Sequence, residues 1–289
     1  MRLRSLLFVP GDSERKFARA QGSGADALIL DLEDSVAPSQ KAEARAHVAS
    51  LIDTAARAWR FFVRPNPFDT GLTHDDLAAV VKPGLDGLLI PKADGASDIA
   101  RIGAMLDELE AADGMTVGTV KIAVVATETP LAMFNLGSYT PPHPRLVGLT
   151  WGAEDLAAAI GATANKEKDG SWTFPYQLAR AQCLFAAAAA GVAPIDTLYA
   201  DFRDAEGLAD NCRTARRDGF TGRLAIHPDQ VAIINECFSP SADDVAHARR
   251  IVELFAAQPD AGTIGIDGKM YDIPHLKAAQ RTLAAAGEA

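Results

Sequence analysis

Eight short apolar runs, each followed by a longer amphipathic stretch, constrain this chain more than any other feature. They read LLFV (6–9), ALILDL (27–32), RFFVRP (60–65), GLLIPK (87–92), KIAVVAT (121–127), LVGLTW (146–151), DTLYAD (196–201) and RLAIHP (223–228). Most are continuous rather than alternating, as expected of parallel strands covered on both faces. The stretches between them predict helices over 12–21, 39–53, 73–81, 97–112, 131–139, 175–191, 205–219 and 228–238. Start signals are Ser39, Thr73 and Ser97, and stop signals are Gly191 and Gly219. Eight β-then-α units in about 235 residues match the count and length of a (β/α)8 TIM barrel. An open doubly wound sheet usually has fewer strands.

The barrel reading places a catalytic domain over residues 1–238 and a C-terminal helical extension over 239–289. That extension predicts one helix over 241–258, with Ser241 as its cap, then a Gly-rich turn, AGTIGIDGKMYDIP, and a last helix. A barrel closes without such a tail, so the tail is expected to meet a neighbouring subunit or to cover the barrel's own surface.

The net charge of -10, with both signs interleaved, argues against nucleic acid or an anionic membrane as a partner. No window approaches the roughly 18 apolar residues of a membrane span, and the apolar run after Arg2 and Arg4 is too short for a signal peptide. Three cysteines, with no CxxC pair, point to a reducing, cytoplasmic setting. No dinucleotide, P-loop, serine-hydrolase or zincin motif is present.

In a barrel of this kind chemistry gathers at the C-terminal ends of the strands. Those ends here carry Asp31, Glu33 and Asp34, then Arg64, Lys92, Glu128, Glu154 and Asp155, Asp201 and His227. One ionisable residue there is an ordinary exposed side chain, but seven strand ends out of eight that carry one need a better reason. Glu128 and Asp155, on adjacent strands, offer the hard oxygen ligands that Mg²⁺ takes, with room left for water and substrate. Asp155 also suits a helix N-cap. Arg64 can bind a carboxylate or an enolate oxygen through its planar fork, or pair with the LDLED cluster. Asp31, Glu33 and Asp34 are read as groups that hold metal-bound water or orient Arg64. Glu154 is out of phase and expected to point away. His227 is either a base or a structural donor. Asp196 and Asp201 bracket the seventh run and are read as structural.

RSLLFVPGDSERKFARAQGSGADALILDLEDSVAPSQKAEAR, FVRPN, LIPK, ETPLA, WGAEDLAAAIG, GFTGRLAIHPDQVAIINECFSPS and GKMYDIPHLKAA resemble, in order, the citrate lyase beta-subunit-like branch of the HpcH/HpaI aldolase family. The resemblance implies a (β/α)8 barrel assembled as a homotrimer. It implies an Mg²⁺ site (Mn²⁺ as an alternative) at Glu128 and Asp155, with Glu128 also touching substrate and Arg64 binding it. It implies a catalytic Asp from a neighbour's C-terminal segment, the position of Asp272. The small-molecule partners implied are a 2-oxo acid and an acyl-CoA thioester, joined or separated at a carbon–carbon bond. Arg4, Arg15 and Lys16 are the candidates for docking CoA. Pro65, between Arg64 and Asn66, departs from many relatives. The sequence also admits two other functions: an aldolase working without CoA, and a carrier-dependent beta subunit of a citrate lyase complex.

Overall fold

The computed structural model describes residues 1–288. Eight parallel strands close a barrel in sequence order: β1 (Ser5–Pro10), β2 (Ala27–Asp31), β3 (Arg60–Arg64), β4 (Gly87–Ile90), β5 (Lys121–Val125), β6 (Leu146–Thr150), β7 (Ala193–Asp196) and β8 (Gly222–Ala225). The closing pair is β1 with β8, in the register Leu6 to Leu224. The (β/α)8 expectation is met. Leu6, Ile29, Phe62, Leu89, Ala123, Val125, Ile195 and Leu224 form one buried cluster inside it. Such a filled interior is a packed core, and it leaves the rim for chemistry.

The helices after the strands are α1 (Glu14–Gln21), α2 (Lys41–Leu51), α3 (Thr73–Val80), α4 (Ala96–Ala112), α5 (Pro130–Asn135), α6 (Glu154–Ile160), α7 (Phe174–Ala190), α8 (Ala205–Asp218) and α9 (Pro228–Cys237). Two helices, α6 and α7, follow β6, and a short hairpin closed by a bridge of Lys166 with Trp172 lies between them. Gly191 and Gly219 end α7 and α8 in the left-handed conformation, as read from sequence. Ser39, Thr73 and Ser97 do not cap their helices: the N-cap positions are Gln40, Leu72 and Gly95. Thr73 instead donates its hydroxyl to the Asn66 carbonyl.

The seventh strand corrects the sequence reading. It is Ala193–Asp196 rather than 196–201, because the strand begins two residues after Gly191 and runs through Pro194. Pro194 still accepts from the Thr221 N–H, so the bond toward β8 survives the missing donor. Asp196 therefore ends the strand rather than starting it. Its carboxylate accepts from Trp151 Nε1 at 2.6 Å and from Arg223 at 2.6 Å, a structural role.

The chain divides into two compact units, Met1–Asn235 and one beginning at Glu236. In the second, α10 (Ala242–Ala256) starts with a capping box between Ser241 and Asp244. The segment read as a Gly-rich turn is an antiparallel hairpin of β9 (Thr263–Ile266) and β10 (Lys269–Asp272). Its Asp267-Gly268 corner has positive φ at both residues, the geometry a two-residue hairpin needs. Helix α11 (Ile273–Ala286) packs on α10 through Ile251, Phe255, Ala279 and Leu283.

Candidate active site

The register of β2 with β3 sets Asp31 beside Arg64 at the C-terminal rim. Their side chains meet in a two-point fork, Nε to Oδ1 and Nη2 to Oδ2, both 2.7 Å. Nη1 lies 2.9 Å from Glu33 and 3.5 Å from Asp34, and the guanidinium stacks over Phe8 at 4.8 Å. Burial alone would push Asp31 up. The Arg64 bond and charge, helped by Ser35 and the Glu33 N–H, hold its carboxyl below the ordinary range. Burial likewise works against the Arg64 charge, and Asp31 keeps it firmly protonated. Gly11 makes the close approach of β1 possible, since a Cβ there would fall 2.6 Å from the Asp31 carbonyl oxygen.

Lys92 joins this group to a second one. It lies two residues past β4 with φ of 49°, a left-handed conformation rare outside glycine. That bend turns its N–H onto Glu128 Oε2 at 2.6 Å, while its ammonium reaches Glu33 at 2.5 Å and Asp155 at 3.1 Å. Sequence reasoning noted Lys92 at a strand end and gave it no role. The available signal was the LIPK run itself, but a side chain bridging three strand ends is a tertiary fact.

Glu128 is buried and Asp155 half-exposed. Burial first, then repulsion from Asp155 and Glu33, push the Glu128 carboxyl up to about 8, against the Lys92 N–H and charge. Glu33 is also raised, by burial above all, despite Arg64 and Lys92. Five carboxylates (Asp31, Glu33, Asp34, Glu128, Asp155) thus face two cations, Arg64 and Lys92. Asp155 sits in the first turn of α6, whose N-cap is Ala153, so it is not the cap. Glu154, expected to point away, accepts from Asn165 at 3.0 Å and lines the same cavity as Asp155.

Arg64, Asp31, Asp34, Glu128 and Asp155 open on one cavity of about 430 Å³. Its other wall is apolar: Phe8, Val125, Trp151, Trp172, Leu198, Leu224 and Ile226. Arg15 and Lys16 line a separate cavity of about 480 Å³, with Arg19, His227 and the shared residues Phe8, Pro10 and Ile226. Arg4 is not with them. It precedes β1 at the opposite, N-terminal rim, where Asp26 holds it at 2.8–2.9 Å, so the grouping of Arg4 with Arg15 and Lys16 is corrected. His227 stacks on Phe202, with ring centres 4.6 Å apart. Asp272 belongs to the second unit, where it caps α11 and its carboxylate meets His275 Nδ1 at 2.5 Å.

The family model for HpcH/HpaI aldolase/citrate lyase matches residues 4–228. The chain belongs to this family. It is thereby placed among carbon–carbon lyases. Over 286 residues it is 36% identical to a (3S)-malyl-CoA thioesterase of Cereibacter sphaeroides, covering 98% of this chain and 94% of that one. An L-malyl-CoA/beta-methylmalyl-CoA lyase of the same species is 32% identical over 296 residues, 96% of this chain and 92% of that one. The crystal structure of the protein CitE from Mycobacterium tuberculosis, in complex with magnesium, acetoacetate and coenzyme A, superposes with a TM-score of 0.76 at 33% identity, over 99% of both chains.

The residues present fit a divalent cation. Glu128 is a buried carboxylate in acidic company, and a cation beside it would relieve both the repulsion and the burial penalty. Space is kept open at Gly152, where a Cβ would fall 2.9 Å from Glu128 Cγ and 3.0 Å from its Oε1. No group of three or more His, Cys, Asp or Glu side chains among the described residues is arranged as a metal cage. Two carboxylates completed by water and substrate is a common arrangement for magnesium.

Proposed function

We propose that the chain is a magnesium-dependent lyase that cleaves or forms a 3-hydroxyacyl-CoA, such as malyl-, citramalyl- or citryl-CoA, exchanging it with an acyl-CoA and a 2-oxo acid. The observation that carries this reading is the buried Glu128 with Asp155 facing, in one cavity, the fixed guanidinium of Arg64. Glu128 and Asp155 would hold the metal, with Glu128 also against the substrate. Bound there, magnesium would supply Lewis acidity to the 2-oxo carbonyl. Arg64 binds Asp31 side-on, and of its end-on nitrogens Nη1 already pairs with Glu33 at 2.9 Å, so a substrate carboxylate or a developing oxyanion would share that end of the guanidinium with Glu33. Asp31 and Glu33 keep that fork from rotating, and Lys92 keeps Glu33 and Asp155 from separating.

Arg15 and Lys16 are proposed to dock the CoA phosphates, because their basic cavity shares Phe8, Pro10 and Ile226 with the acidic one. Asp272 is proposed to move the proton at the thioester carbon of a neighbouring subunit in a homotrimer, with the extension over 239–289 making that contact. The support is the family motif GKMYDIP. An odd number of cysteines and no CxxC pair fit a cytoplasmic protein. No described helix is long and apolar enough to cross a membrane.

Thioester hydrolysis is the second reading, favoured by the name of the relative at 36% identity. One assay separates the two. Malyl-, citramalyl- and citryl-CoA are incubated with and without magnesium, following 2-oxo acid as its hydrazone and free thiol as its disulfide-exchange product. Cleavage yields 2-oxo acid and no thiol, hydrolysis yields thiol and no 2-oxo acid, and neither product from any ester overturns both.

A further inference from the structure

Two tryptophans line the apolar wall of the cavity, and they are held differently. Trp151, directly after β6, is fully buried, and its Nε1 is fixed on Asp196 at 2.6 Å. Trp172 is half-buried and rides on a hairpin between α6 and α7. That hairpin is closed by the bridge of Lys166 with Trp172 and by the bonds Glu167 N–H to the Ser171 carbonyl and Thr173 N–H to the Asn165 carbonyl. Its tip is Asp169-Gly170, with Gly170 at positive φ and the Asp169 carboxylate accepting from Ser171. The indole stands edge-on to Trp151, with ring centres 5.2 Å apart, and the Lys166 ammonium covers it at 4.6 Å.

One bond ties the hairpin to the rim. Asn165 Nδ2 donates to Glu154 Oε1 at 3.0 Å, and Glu154 immediately precedes Asp155 in the first turn of α6. The flap is thereby registered against the candidate metal ligands. The polar half of the cavity is occupied by carboxylates and Arg64, so an alkyl substituent finds an apolar environment only on the opposite wall, to which Trp151, Trp172, Leu198 and Leu224 belong. Of these, Trp172 is the large side chain on an element not built into the barrel wall.

We propose that Trp172, positioned by the Asn165–Glu154 bond, is a specificity-determining residue that sets the bulk of the acyl group the cavity accepts. The inference rests on the proposed acyl-CoA chemistry. Its physical basis is that each methylene admitted to or refused by an apolar pocket is worth about tenfold or more in discrimination.

The test uses the full chain with magnesium and a series of acetyl-, propionyl-, butyryl- and hexanoyl-CoA. Affinity is measured by calorimetry and condensation with glyoxylate by turnover. Wild type is expected to prefer the short esters. Trp172→Ala is expected to raise the hexanoyl-to-acetyl ratio about tenfold or more in both readouts. Trp172→Phe should lie between. Asn165→Ala, which leaves the indole in place and loosens its support, should shift the ratio in the same direction by less. Identical chain-length ratios in wild type and all three variants overturn the proposal. Ester binding with a chain-length cutoff removed by Trp172→Ala, but no turnover in any protein, sinks the lyase reading and leaves the role of Trp172 standing. No binding of any ester by wild type overturns both.

Discussion

Replacing Arg64 by Met tests how far the rim is held together by one cation. The side chain of Asp31 is 2% exposed and that of Arg64 is 11% exposed, so the pair is effectively desolvated. Removing one partner of a buried ion pair typically costs about 3–5 kcal/mol, because the other charge is left without compensation. Asp31 keeps two backbone donors, the N–H groups of Glu33 and Ser35 at 2.9 and 3.1 Å. The expected loss is therefore at the low end, about 3 kcal/mol. Arg64→Lys should recover only part of it, since an ammonium cannot reproduce the fork. The measurement is urea unfolding of the metal-free protein across pH. Asp31 has a folded pKa below its ordinary value, so its contribution is fully present above that value and disappears as pH falls through the lowered one. The gap between wild type and Arg64→Met should be complete at pH 7 and narrow below about pH 4. A gap under about 1 kcal/mol at pH 7, or one of equal size at both ends, would refute the pairing argument. Catalysis supplies a separate check: near-normal turnover in Arg64→Met would leave Arg64 a structural partner of the acidic cluster only.

Glu128→Gln and Asp155→Asn should each weaken magnesium binding at least tenfold, read by calorimetry, with little change in the circular dichroism spectrum. Gly152→Ala should do the same by steric means, because its methyl carbon would press on Glu128 at 2.9–3.0 Å; unchanged magnesium affinity in that variant would show that the side chain can move aside. Asp272→Asn should leave magnesium and 2-oxo acid binding intact and slow the thioester chemistry. Mixed oligomers of Asp272→Asn and Arg64→Ala protomers should regain partial activity; mixed assemblies that form and stay inactive would remove the shared-site model.

The barrel was legible because its determinants are local and repeated. Continuous apolar runs such as 27–32 and 121–127 can be buried only between two covering layers, and their count closes the sheet. The rim was legible for the same reason: a charge immediately after such a run, as at Arg64 or Glu128, has to emerge at the strand's C-terminal end. Other features were decided by tertiary structure. The true span of β7 depended on Pro194 being tolerated beside β6 and β8, which no local propensity announces. Arg4 and Arg15 stand close in sequence, yet one precedes β1 and the other follows it, so the length of one strand separates them. Lys92 ends the LIPK run without a role written in it, and Trp172 lies in no motif; their roles arise from a left-handed backbone turn and from a hairpin that brings distant residues to one cavity. Periodicity and strand-end charge, which act over a few residues, were written in the sequence. The pairing of those charges and the shape of the space between them came only with closure of the barrel, because each depends on where other strands end.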